Sequence, residues 1–94
     1  MIAIKILGNK TYLRYSVRRV VLAACEVLRR EHPELEFCIT EVKESQKIFA
    51  YTPVLVSPAL VINEKLVYAR WIPTQEQVLG WLRAALQEQN QPAG

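Results

Sequence analysis

VSPALVINEKLVYARW, residues 56–71, sets Pro58 directly before the most apolar run of the chain. Proline has no N–H to give to a β-ladder, so it belongs at the first residue of a strand or on an edge. An X-Pro bond is also the one place where a cis peptide costs little. Pro58–Asn63 and Leu66–Arg70 read as two strands separated by Glu64 and Lys65, close enough to pair as a hairpin. Glu64 stands where a tight hairpin usually has glycine, so the connection is expected to be somewhat longer than two residues.

Upstream, Ile2, Ile4 and Ile6 alternate with Ala3 and Lys5 and predict a strand over residues 2–7, followed by a turn at Gly8-Asn9. From Leu13 the period changes. Leu13, Val17, Val20, Val21, Ala24 and Leu28 form one stripe of a helix of about five turns, which His32-Pro33 ends. Leu35–Val42 is rich in β-formers and reads as a second strand, and Glu44–Tyr51 as a short helix stopped by Thr52-Pro53.

Downstream, Thr74 with Gln77 three residues later forms a capping box, and Val78, Leu79, Trp81, Leu82, Ala85 and Leu86 give the last helix a broad apolar face. The closing QEQNQPAG has no core residue and reads as a frayed end. The order is β-α-β-α-β-β-α. A right-handed crossover makes the first two strands parallel, and the later pair adds antiparallel strands to the same sheet. The expectation is an α/β domain over residues 1–89, with a four-stranded mixed sheet, helices on both faces and a flexible tail at 90–94.

Composition narrows the function classes. With 94 residues, 51 % of them hydrophobic, the chain suits one core rather than two. No apolar stretch approaches the ~20 residues needed to cross a bilayer. Met1 runs straight into strand-like sequence without the features of a secretory signal, so a cytoplasmic protein with no membrane contact is expected. Seven Arg and five Lys oppose nine Glu, a net charge of +3 scattered over several elements, which is a poor footprint for nucleic acid. Cys25 and Cys38, twelve residues apart, match no metal-ligand spacing, and His32 adds nothing to them. Neither a metal nor a cofactor is called for.

The element order, with a proline opening the third strand, resembles the thioredoxin fold, in which that proline is cis and faces the active site across a short gap. More closely, SPALVINEKLVYARWIPTQEQVLGWL is similar to small thioredoxin-like proteins of the redox-active disulfide type. Their members carry Thr-Pro-Ala-Leu-Val-Ile-Asn-Gly, then a short strand, a proline and a capped last helix. The likeness spans nearly the whole chain and is most specific over residues 57–74. Ser57 takes the place of the usual Thr, and Glu64 that of the hairpin Gly.

The family sets Cys-x-x-Cys just after the glycine that ends the first strand, where a helix N-terminus acidifies a thiol. Aligning Gly8 with that glycine puts Thr11 and Arg14 at the two cysteine positions, so TYLR replaces the redox motif. A threonine hydroxyl cannot enter thiol–disulfide exchange. The resemblance therefore implies the fold and withdraws the activity. No catalytic residue is assigned.

Left at the former active-site face are Lys10, Thr11, Tyr12 and Arg14 at the start of the first helix, opposite Ser57 and Pro58. Free N–H groups flanked by Lys10 and Arg14 suit an anion or carboxylate, and Tyr12 and Tyr15 offer the amphipathic area enriched in binding surfaces. The bland alternative makes Thr11 a helix cap and the tyrosines packing residues. Trp71 is expected to pack on the core, and Trp81 to be core.

The expectation is a redox-inactive thioredoxin-like domain that binds a protein or peptide, with a homodimer through an edge strand also open. Two alternatives stand beside it. One is a divergent thiol–disulfide protein using Cys25 and Cys38, both of which otherwise read as inert buried thiols. The other is a signalling domain of the KaiB type, which is thioredoxin-related and also lacks the cysteine pair.

Overall fold

The computed structural model of the chain describes residues 1–52 and 58–90. Its elements are β1 (Ile2–Leu7), α1 (Thr11–Glu31), β2 (Phe37–Val42), α2 (Ser45–Phe49), β3 (Ala59–Ile62), β4 (Lys65–Tyr68) and α3 (Gln75–Asn90). The strands form one mixed sheet in the order β2-β1-β3-β4. β1 is parallel to β2 and antiparallel to β3, and β4 is antiparallel to β3. This is the α/β class with the element order along the chain expected from the sequence, and it is compatible with a thioredoxin-like fold.

Alternation along β1 builds two cores. Ile2, Ile4 and Ile6 are at most 1 % exposed and pack with Val17, Val21, Ala24 and Leu28 of α1 and Val78, Leu82 and Ala85 of α3. Each such Ile, Val or Leu side chain contributes about 1.5–3 kcal/mol by leaving water. Leu7 points the other way and joins Val42, Ile48 of α2, Ala59 and Val61 in a smaller cluster. Helices therefore cover both faces, α1 with α3 on one and α2 on the other.

The capping box at α3 is formed in full: Gln77 N–H donates to Thr74 Oγ1 at 3.1 Å, and Thr74 N–H donates to Gln77 Oε1 at 2.9 Å. Several other expectations need correction. β2 begins at Phe37 rather than Leu35. α3 runs through Gln87–Asn90, and Gln89 Nε2 donates to the Met1 carbonyl at 2.7 Å, so the first half of the end read as frayed is helical, while residues 91–94 lie outside the described residues. Trp71 is 54 % exposed instead of packing on the core. Trp81 is half-buried at its margin, its ring 5.2 Å from that of Tyr68.

The hairpin is the clearest departure. Ile62 pairs with Lys65, leaving a connection of two residues, and both carry positive φ: 49° at Asn63 and 67° at Glu64. That is the type I′ pattern, which favours glycine at its second position. Contacts from distant segments hold Glu64 there instead. Lys5 Nζ donates to Glu64 Oε1 at 2.6 Å, and Tyr51 Oη donates to Oε2 at 2.8 Å. Asn63 is fixed to β1, donating its N–H to the Ala3 carbonyl and accepting the Ala3 N–H on Oδ1.

Candidate functional site

The loop from β1 into α1 and the entry to β3 meet at Gly8 and Pro58. Because Leu7 pairs with Ala59, the next residues outward, Gly8 and Pro58, stand side by side, and both are buried. A Cβ on Gly8 would lie 3.4 Å from Arg14 Cγ and 3.8 Å from Pro58 Cα, ordinary contact distances, so arginine and proline pack directly on this position. Ser57, expected to share this face, and with it the Ser57–Pro58 bond, lie outside the described residues.

Lys10 precedes α1 with an extended backbone and no side-chain cap, and the first turn contains no acidic residue. Thr11 is therefore not the cap of this helix but its first residue, and its hydroxyl accepts from Arg14 Nη2 at 3.4 Å. Lys10, Thr11 and Tyr12 are exposed, Tyr12 at 67 %.

Arg14 behaves differently from its expected role. It is only 8 % exposed. Its Nη1 donates to the Gly8 carbonyl at 2.8 Å, and its Nε donates to Glu41 Oε1 at 3.2 Å. The second oxygen of Glu41 takes Arg18 Nη1 at 3.3 Å. The guanidinium is thus a brace across the β1–α1 turn, its charge compensated by β2, rather than a cation free to meet a ligand. The sequence offered no sign of this, because the partners Gly8 and Glu41 come from two other segments.

Two further exposed aromatics lie near this face, Tyr15 as expected and Trp71 against the expectation that it packs on the core. Tyr15 is 61 % exposed, and the adjacent Ser16 lines an open groove of about 380 Å³ with Arg19, Val20, Ala23, Ile72 and Gln75. Trp71 precedes Ile72 in the β4–α3 connection. The groove therefore joins the solvent flank of α1 to the segment carrying Trp71.

The two thiols lie apart. Cys25 is in the core under α1, and burial pushes its pKa up to about 11 even though the Arg29 charge pulls the other way. Cys38 is opposite Ala3 on β2, on the sheet face away from α1, and it is exposed rather than a buried hydrophobe. The sheet stands between them and both are free. Among the described residues no group of three His, Cys, Asp or Glu side chains is arranged to hold a metal, and no helix is long and apolar enough to cross a membrane.

A scan against family models and searches of curated proteins and solved structures found no match to this chain.

Proposed function

We propose that the chain is a thioredoxin-like domain without thiol–disulfide activity, serving as a binding module for an extended protein or peptide segment. The observation that carries this is the pairing of a closed position with an open one on a single turn. At the second position where the resemblance sets a redox sulfur, Arg14 is buried and donates to the Gly8 carbonyl at 2.8 Å. Two residues earlier Tyr12 is 67 % exposed.

Exposed tyrosines on the helix that lines the groove, and a tryptophan next in sequence to its Ile72, supply rigid amphipathic area with little rotamer entropy to lose, and Lys10 and Arg19 favour a segment with carboxylates. No step of bond making is needed or assigned.

The test uses the whole chain. Peptides selected against it from a displayed random library are titrated into wild type and into Tyr12→Ala, Tyr15→Ala and Trp71→Ala by calorimetry. All three side chains are exposed, so the thermal midpoint is expected to hold while affinity falls, by about tenfold at the strongest position. Equal affinity for all four proteins means that this face is not the site. Reduction of a disulfide substrate above the uncatalysed rate means that the domain is not redox-inactive.

A further inference from the structure

β2 and β4 are the two edges of the described sheet, and they are not alike. β4 has four residues, opens on Lys65 and pairs with β3 through a register shift between Leu60 and Val61. A short length, a lysine and a bulge all discourage pairing with another chain. β2 has six residues, FCITEV, without proline or lysine, in unbroken register with β1. Its single charge, Glu41, is already engaged by Arg14 and Arg18.

The backbone of β2 presents a definite row of bonding groups. Ile2 N–H donates to the Glu36 carbonyl and Gly8 N–H to the Val42 carbonyl, each at 3.0 Å. In a parallel ladder the bonding residues alternate, so the even-numbered residues of β2 face β1. The N–H and C=O groups of Phe37, Ile39 and Glu41 then point outward from the described sheet.

We propose that this edge docks a second copy of the chain, by antiparallel pairing of β2 with β2 about a two-fold axis through Cys38, merging the two sheets into one. The proposal is independent of the peptide-binding role, which concerns another surface.

Symmetry leaves few registers. A two-fold axis normal to the sheet keeps each side chain on its own face, so only residues of equal parity stand opposite. An axis at Thr40 sets Glu36 against Glu44 and Ile39 against Glu41 of the second copy, and an axis at Ile39 sets Phe37 against Glu41. An axis at Cys38 sets Phe37 against Ile39 twice, an aromatic–β-branched pair, and Glu36 against Thr40, with no like charges facing. In that register Phe37 and Ile39 exchange backbone hydrogen bonds. The two Cys38 residues form the non-hydrogen-bonded pair, with Cα atoms about 4.5 Å apart as usual there, within the span of a disulfide. α2 covers the sheet at Leu7, Val42, Ala59 and Val61, and Cys38 beyond it is exposed.

Sedimentation of the full chain over a concentration series, under reducing conditions, tests the edge. Wild type and Cys38→Ser are expected to dimerise alike. Cys38→Lys sets two ammonium groups opposite each other at the axis and is expected to dimerise about tenfold more weakly or worse, while its thermal midpoint at dilutions where both proteins are monomeric matches wild type because the site is exposed. Wild type that stays monomeric throughout, or Cys38→Lys that associates as strongly, overturns the proposal.

Oxidised glutathione tests the register. One Cys38 thiolate displaces a glutathione thiolate to form a mixed disulfide, and the Cys38 thiolate of the second copy displaces the other. Two protein thiols are oxidised to one disulfide while one oxidised glutathione becomes two reduced glutathiones. Wild type is expected to cross-link faster than the double variant Cys38→Ser with Thr40→Cys, whose thiols stand opposite Glu36. Equal rates overturn the register.

Discussion

Arg14 Nη1 donates to the carbonyl of Gly8, six residues back in the chain, at 2.8 Å from a side chain that is 8 % exposed. α1 thus carries in its own first turn the cation that closes the loop before it. A buried guanidinium is tolerable only where its charge is compensated and its donors are used. Gly8, Thr11 and Glu41 meet that condition here, and the same contacts remove Arg14 from the groups that a ligand could recruit.

The fork of donors, more than the charge, makes this brace. Arg14→Lys keeps the charge and loses the planar geometry that reaches Gly8 and Glu41 together. Its expected cost in urea unfolding is about 1–3 kcal/mol, from a buried carbonyl left without its donor. Arg18→Ala removes a half-exposed partner of the same carboxylate and is expected to cost under about 1 kcal/mol. Equal losses in the two variants would contradict the brace.

Glu64 sits at φ 67° in a two-residue turn, a conformation that costs a residue with a Cβ roughly 1–2 kcal/mol. Comparing Glu64→Gly with Glu64→Ala isolates that strain, because both lose the contacts to Lys5 and Tyr51. The glycine variant is expected to be the more stable by about 1 kcal/mol in chemical denaturation. A difference near zero would mean that the turn relaxes to another form.

Local pattern made most of the frame legible. Ile2, Ile4 and Ile6 alternate as a strand facing one core must, α1 repeats its apolar residues at helical spacing, and Thr74 with Gln77 announces the start of α3. The misplaced features are set by groups distant in the chain. The tight hairpin depends on Lys5, 59 residues before Glu64, overriding a local preference for glycine. The burial of Arg14 depends on a carboxylate 27 residues away on β2. Whether Cys38 is exposed depends on how far α2 reaches over the sheet, which residue type and strand propensity do not encode.

The Lys5–Glu64 pair ties stability to pH in a stated direction. Hydrogen bonds from Lys5 and then Tyr51 lower the Glu64 pKa below its ordinary 4.5, and the bond to Glu64, with that to Tyr51, raises Lys5 above 10.5. A lowered carboxylate contributes stability that is present above 4.5 and lost as pH falls through its folded value. A raised lysine contributes stability that is present below 10.5 and lost as pH rises through its folded value. Glu64→Gln is therefore expected to lower the thermal midpoint between these limits and to match wild type once pH falls well below 4.5. A constant offset down to strong acid would assign the effect to the turn instead.

Gly80 lies in the second turn of α3 with nothing within 4 Å of where a Cβ would stand, and it is exposed. Glycine inside a helix costs about 0.5–1 kcal/mol relative to alanine through backbone entropy. Gly80→Ala is expected to raise stability by that amount with no change in fold. A loss on this substitution would show that a partner packs closely on this stretch of α3.

The thiols are expected to separate sharply in alkylation. Cys38 is exposed, and a dilute sample kept without reductant should take up one label per chain in the native state. Cys25 is held in the core with its pKa pushed up to about 11. At pH 8 only about one part in a thousand of such a thiol is thiolate, the reactive form, and the core must open before reagent reaches it. The second label should appear on unfolding, and adding a reductant first should give no further gain. Native labelling of both residues would place Cys25 near a frequent local opening of α1, while a label that appears only after reduction would show Cys38 already bridged between chains. Protection of Cys38 that grows with protein concentration, at fixed reagent, would mark the same edge pairing without any oxidant.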